Sequence, residues 1–135
     1  MKQQLVLTDK DLLAKGNDRY VFQHPQDSQL LIKIVIPDIL KYKSKLREIY
    51  RDVKECKPKT STDSLYIQKI EGLVETNRGV GQVIVKECDE HSHIAPTLYQ
   101  LARNKELDAG KLQKLNVFFD WFVTTGVIIN SLHCK

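Results

Sequence analysis

The hydrophobic positions of this chain change period along its length. Residues 19–24 (Arg-Tyr-Val-Phe-Gln-His) are rich in strand formers, residues 25–28 (Pro-Gln-Asp-Ser) carry turn chemistry, and residues 29–36 form a second, strongly apolar run. That pattern predicts a β-hairpin. From Asp38 the spacing lengthens: Ile39, Tyr42, Leu46, Ile49, Tyr50 and Val53 recur every three or four residues. An amphipathic helix over residues 38–55 is expected, beginning after Pro37 with Asp38 as N-cap and ending before Pro58. Beyond a polar stretch at 57–63, strand-like runs at 65–76 and 82–87 flank Asn77-Arg78-Gly79-Val80-Gly81, a loop of hairpin composition. The C-terminal third reads as two helices, 96–107 and 109–125, parted by polar residues around Asp108. Strands then helices, without βαβ alternation, place the chain in the α+β class. The expected core is an antiparallel sheet built from the 19–36 hairpin and the 65–87 strand pair, with the 38–55 helix on one face.

Composition narrows the class. With 135 residues, 41% of them hydrophobic and 28% charged, the chain can bury one core and lacks the signature of disorder. Its longest apolar stretches, 30–36 and 126–129, fall far short of the roughly 20 residues needed to cross a bilayer, and residues 1–10 do not read as a secretory signal. Cys56, Cys88 and Cys134 are odd in number and irregularly spaced, as reduced thiols would be. A cytoplasmic protein without a membrane span is expected. The net charge of +4 is unevenly held: residues 41–59 carry eight basic residues against three acidic ones.

Candidate chemistry centres on Lys33, a lysine amid six aliphatic residues in Leu30-Leu31-Ile32-Lys33-Ile34-Val35-Ile36. Such a side chain must snorkel, pair, or hold an anion; the plain structural alternative is an edge-strand lysine that blocks sheet-to-sheet aggregation. Cys88, His91, His93, His133 and Cys134 include metal-ligand types, but Cys88-x-x-His91-x-His93 lacks the paired spacing of a structural zinc site, and no metal site is expected. Lys41, Lys43, Lys45, Arg47 and Arg51 make the 38–55 helix basic, while Glu48, Asp52 and Glu55 between them suggest i,i+4 pairs on a solvated face. Nucleic acid is not the expected partner.

A turn containing Gly16, a strand pair, a strand with an Ile-Lys-Ile centre and a helix bearing a glutamate together resemble the first half of a protein kinase N-lobe. More narrowly, Gly16-Asn17-Asp18-Arg19-Tyr20-Val21-Phe22-Gln23-His24-Pro25, Ile32-Lys33-Ile34-Val35, Arg47-Glu48-Ile49-Tyr50, the block from Gly72-Leu73-Val74-Glu75-Thr76 to Gly81, and Pro96-Thr97-Leu98 look like the YrbL family of bacterial PhoP regulatory network proteins, with a protein-kinase-like fold. The resemblance implies a kinase-like N-lobe over residues 1–95 and the incomplete start of a helical C-lobe over 96–135, folding as one unit. It implies nucleotide-binding roles for Gly16, Lys33 and Glu48, with ATP and Mg as the ligands such a site would take and Glu48 as the partner of Lys33. On an ideal helix, however, Glu48 lies opposite the stripe of Leu46, Tyr50 and Val53. The phosphate loop has one glycine, Gly16, where the kinase pattern has three.

Residues 126–135 are similar to the segment leading into a kinase catalytic loop. On that register Ser131 stands at the place of the catalytic aspartate, and the metal-binding asparagine and Asp-Phe-Gly motif would fall after Lys135. The resemblance therefore implies a regulatory, pseudokinase-like protein tied to the PhoP response, without phosphotransferase activity of its own. Two alternatives stay open: a fragment of a longer, active kinase-like phosphotransferase, and a small basic module for nucleic acid or anionic lipid. In the 109–125 helix, Leu112, Leu115, Phe119 and Val123 form one stripe while Val117 and Trp121 project nearly opposite. A helix apolar almost all round calls for burial on both faces, so self-association or a protein partner is expected there.

Overall fold

A computed structural model describes residues 3–38, 41–60 and 68–125 of the chain. Two compact units are formed, Met1–Lys86 and Glu87–Lys135. Among the described residues the first holds an antiparallel five-stranded sheet, a short 3-10 turn at Asp9–Asp11 and one α-helix: β1 (Leu12–Lys15), β2 (Arg19–Gln23), β3 (Leu30–Val35), α1 (Tyr42–Thr60), β4 (Ile70–Thr76) and β5 (Gly79–Val85), with the strands in the order β1-β2-β3-β5-β4. The second holds α2 (Leu98–Arg103) and α3 (Ala109–Thr125). The α+β class and the antiparallel sheet agree with the sequence pattern.

Alternation along β3 sorts its side chains between two cores. Ile32 and Ile34 join Phe22, Val83, Leu5 and Leu7 on one face. Leu31 joins Ile70 and Ile84 on the other, where Val21 and Val53 of α1 pack against them. Gly81 allows β3 and β5 to close over the first core, because a Cβ there would collide with the side chain of Ile32.

Several boundaries differ from the sequence expectation. Two features ahead of Arg19 were not anticipated: β1, a short edge strand, and the contribution of Leu5 and Leu7 to the core. Leu5 bridges Thr76 of β4 in parallel, its amide donating to the Glu75 carbonyl at 2.9 Å and its carbonyl accepting from Asn77 at 3.0 Å. The 77–81 loop tightens, since Thr76 Oγ1 donates to the Gly79 carbonyl at 2.6 Å and Gly79 takes a φ of +109°, so β5 starts at Gly79 rather than 82. The 65–67 part of the expected fourth strand lies outside the described residues.

α1 begins at Tyr42, not at 38, so Asp38 is not its N-cap; it also runs past Pro58 to Thr60. Pro58 has no amide to donate to the carbonyl four residues before it, and because it falls in the last turn the helix forgoes one backbone bond there and ends two residues later. The helix buries Ile49 (0% exposed) and leaves Tyr50 outside (53%), so the buried arc is centred on Ile49.

In the second unit α2 is shorter than the expected 96–107. Thr97 and Gln100 form a capping box, with Gln100 N donating to Thr97 Oγ1 at 3.1 Å and Thr97 N to Gln100 Oε1 at 2.8 Å. The helix is stopped by Lys105 at φ +56°: its amide reaches the Ala102 carbonyl at 3.2 Å and that of Glu106 reaches Leu101 at 2.8 Å, a Schellman closure. α3 has the expected bounds. Asp108 starts it, accepting from the Lys111 amide at 2.8 Å and from Lys111 Nζ at 3.0 Å, and these bonds hold its carboxyl below the usual carboxylate range. The half-buried side of α3 carries Leu115, Phe118, Trp121 and Phe122, with the Phe118 ring 6.0 Å from Trp121 and 6.2 Å from Phe122. Leu112, Val117, Phe119 and Val123 are exposed, so the expected stripe through Phe119 and Val123 is not the sheltered one.

Candidate functional site

Lys33 sits on an inner strand, flanked by β2 and β5, which overturns the edge-strand alternative. In register it lies between Val21 and Gln82, on the face that α1 covers. Its Nζ donates to Gln68 Oε1 at 2.9 Å, a neutral acceptor just ahead of β4. Burial pushes the Lys33 pKa below the ordinary lysine range; the Arg19 guanidinium adds to the shift, while Asp52 and Asp18 pull the other way. Among the described residues neither the Nε2 of Gln82, a side chain 2% exposed, nor the buried Nε of Arg19 has a hydrogen-bond partner.

One flank of α1 brings charge to this face. At about 100° per residue, Lys45, Asp52 and Glu48 lie to one side of Ile49, and Leu46 and Val53 to the other. Glu48 therefore turns toward the sheet rather than away from it, correcting the ideal-helix reading that put it opposite the apolar stripe. It does not pair with Lys33. Arg19 Nη2 lies 3.5 Å from its carboxylate and Lys45 Nζ 3.2 Å, and Lys45 also meets Asp18 Oδ2 at 3.1 Å. Hydrogen bonds to Asp18 and Glu48 raise the Lys45 pKa. Gly16 closes the β1–β2 turn by donating its amide to the Arg19 carbonyl at 2.8 Å.

The result is an ionic cluster of Asp18, Arg19, Lys45 and Glu48 beside a lysine held by an amide. Of its members the sequence pattern singled out Lys33 and Glu48. Arg19 and Asp18 carried one usable signal: Arg19 stands two residues before Val21, hence on the same sheet face as the residue opposite Lys33. Gln68 carried none. Ser131, His133 and Cys134 lie outside the described residues. Among the described residues no group of three or more His, Cys, Asp or Glu is gathered as a metal site, and no helix is long and apolar enough to cross a membrane.

Compared with known families, residues 5–135 match the family model described as PhoP regulatory network protein YrbL. The chain belongs to the YrbL family. The match takes in both compact units, so the resemblance carried by the blocks around Gly16, Lys33, Glu48, Gly72–Gly81 and Pro96 holds at the level of the family. No curated protein and no solved structure matches the chain.

Proposed function

We propose that this YrbL-family chain is a non-catalytic, kinase-like regulatory protein of the cytoplasm that holds a nucleotide phosphate at Lys33 without transferring it. The observation that carries this reading is the state of Lys33: a half-buried ammonium on an inner strand, held by the neutral Gln68 rather than by a carboxylate. An ammonium has three donors, and a phosphate oxygen offers the charge compensation that an amide does not. In this reading residues 1–95 act as the N-lobe, 96–135 begin a helical lobe, Gly16 shapes the phosphate turn, and α1 is anchored by Glu48 through Arg19 and by Lys45 through Asp18. Ser131, where the kinase resemblance expects an aspartate, has no carboxylate to take a substrate proton. Partner contact is assigned to the 109–125 helix.

The test is titration of the full chain with ATP, with and without Mg, alongside a turnover assay. Binding without turnover is expected, with Lys33→Ala weakening it more than Lys41→Ala. Equal weakening by the two variants would reduce the effect to nonspecific charge attraction, and Mg-dependent turnover above the Lys33→Ala background would favour an active phosphotransferase.

A further inference from the structure

Glu48 and Asp52 of α1 lie on a different side of the helix from most of its basic residues. Glu48 is turned inward to Arg19 and Lys45, and Asp52, half-buried, lies on the same charged flank. The opposite, outward side carries Lys43, Arg47, Tyr50, Arg51 and Lys54, all exposed and spaced at three or four residues. Arg51 has Asp52 at 3.8 Å, whereas Lys43, Arg47 and Lys54 have no acidic partner among the described residues. At its start the stripe borders a shallow depression lined by Lys41, Tyr42, Lys43, Ser44 and Arg47. Among the described side chains the neutralisation of this helix runs through Glu48 and Asp52, and a row of cations about 16 Å long faces solvent.

We propose that this stripe docks an acidic helical face of a partner protein. Carboxylates at four-residue spacing on a helix repeat about every 6 Å, the same repeat as Lys43, Arg47 and Arg51, so two such helices meet charge to charge along their length. Tyr50, 53% exposed in the middle of the row, and the two arginines are residue types that anchor protein interfaces. Insertion into a lipid surface is disfavoured because the apolar arc of α1, around Ile49, is already buried on the sheet. Duplex DNA is the weaker fit because Lys43, Arg47, Arg51 and Lys54 are few contacts for a phosphate backbone and Tyr50 interrupts their row.

The experiment measures binding of the full chain to a synthetic acidic helical peptide of about 18 residues with glutamate at every fourth position. A peptide of the same composition with its glutamates spread around the helix serves as the comparison. Lys43→Glu combined with Arg47→Glu is expected to weaken binding of the first peptide about tenfold or more, while the charge-matched pair Lys10→Glu and Lys114→Glu changes it less than about threefold. Circular dichroism checks that both variants fold. Absence of binding, equal losses in the two variants, equal affinity for the two peptides, or tighter binding to random duplex DNA or to phosphatidylserine vesicles would each overturn the proposal.

Discussion

At the scale of single residues, Lys33 shows how burial and function pull apart. Its ammonium is desolvated and receives one neutral acceptor, so charging it opposes folding. The sign follows from the lowered pKa. Below that value lysine is charged in both the folded and unfolded chain and the full cost is present; as pH rises through it toward the ordinary lysine range, the cost fades. Lys33→Met is therefore expected to leave stability at neutral pH unchanged or to raise it by up to about 2 kcal/mol, even though it removes the proposed phosphate contact. The gap from the parent chain should narrow in alkaline solution. Denaturant unfolding at a series of pH values checks this; a loss of more than about 2 kcal/mol at neutral pH would instead make the Gln68 contact a structural one.

At the scale of elements, Ile49 is the most deeply buried of the α1 side chains that the structure describes. Ile49→Ala is expected to cost about 2–5 kcal/mol, whereas Tyr50→Ala, at a neighbouring position of equal apolar promise in the sequence, should change stability by no more than about 0.5 kcal/mol. Thermal or urea unfolding distinguishes them directly. The end of α2 offers the opposite kind of change. Lys105 holds a left-handed φ of +56° that closes the helix, a conformation that suits glycine better than any residue with a Cβ. Lys105→Gly is expected to stabilise the second unit by about 0.5–1 kcal/mol, read as a higher unfolding midpoint; a drop would mean that the lysine side chain itself contributes to the turn.

At the scale of the whole molecule, two surfaces contrast. α1 presents charge, and α3 presents Leu112, Val117, Phe119 and Val123, the last of them 79% exposed. Apolar exposure of this kind is expected to drive concentration-dependent association of the chain, and Phe119→Lys with Val123→Lys to reduce it. A sedimentation series from dilute to concentrated protein is the measurement. A monomer at every concentration would remove the role proposed for this helix. Trp121 and Phe122 are the poorer positions for such a test, because both are half-buried.

The sequence by itself determined what depends on local periodicity and on short-range chemistry. The strand-former run of β2 and the apolar run of β3, the helical spacing of α1, the glycine-bearing turn between β4 and β5, and α3 with its start beside Asp108 were all legible. So was Lys33, because a cation within an aliphatic run is anomalous wherever the run ends up. The blocks that resemble the YrbL family also lie within single elements or turns, which is why the family was readable without a structure. Tertiary structure decided what depends on register and on which face of an element meets another. Leu5 and Leu7 enter the core because β4 leaves an edge for Leu5 to bridge, and no local pattern announces that. Ile49 rather than Tyr50 faces the sheet because the rotation of α1 is set by packing, and the two residues lie only about 100° apart on its helix. The same rotation turned Glu48 toward Arg19, left Lys33 to Gln68, and set Glu48 apart from the outward cations Lys43, Arg47 and Lys54. A sequence lists the charges of a helix in order, but their partners are chosen by long-range contacts between segments that the chain brings together only on folding.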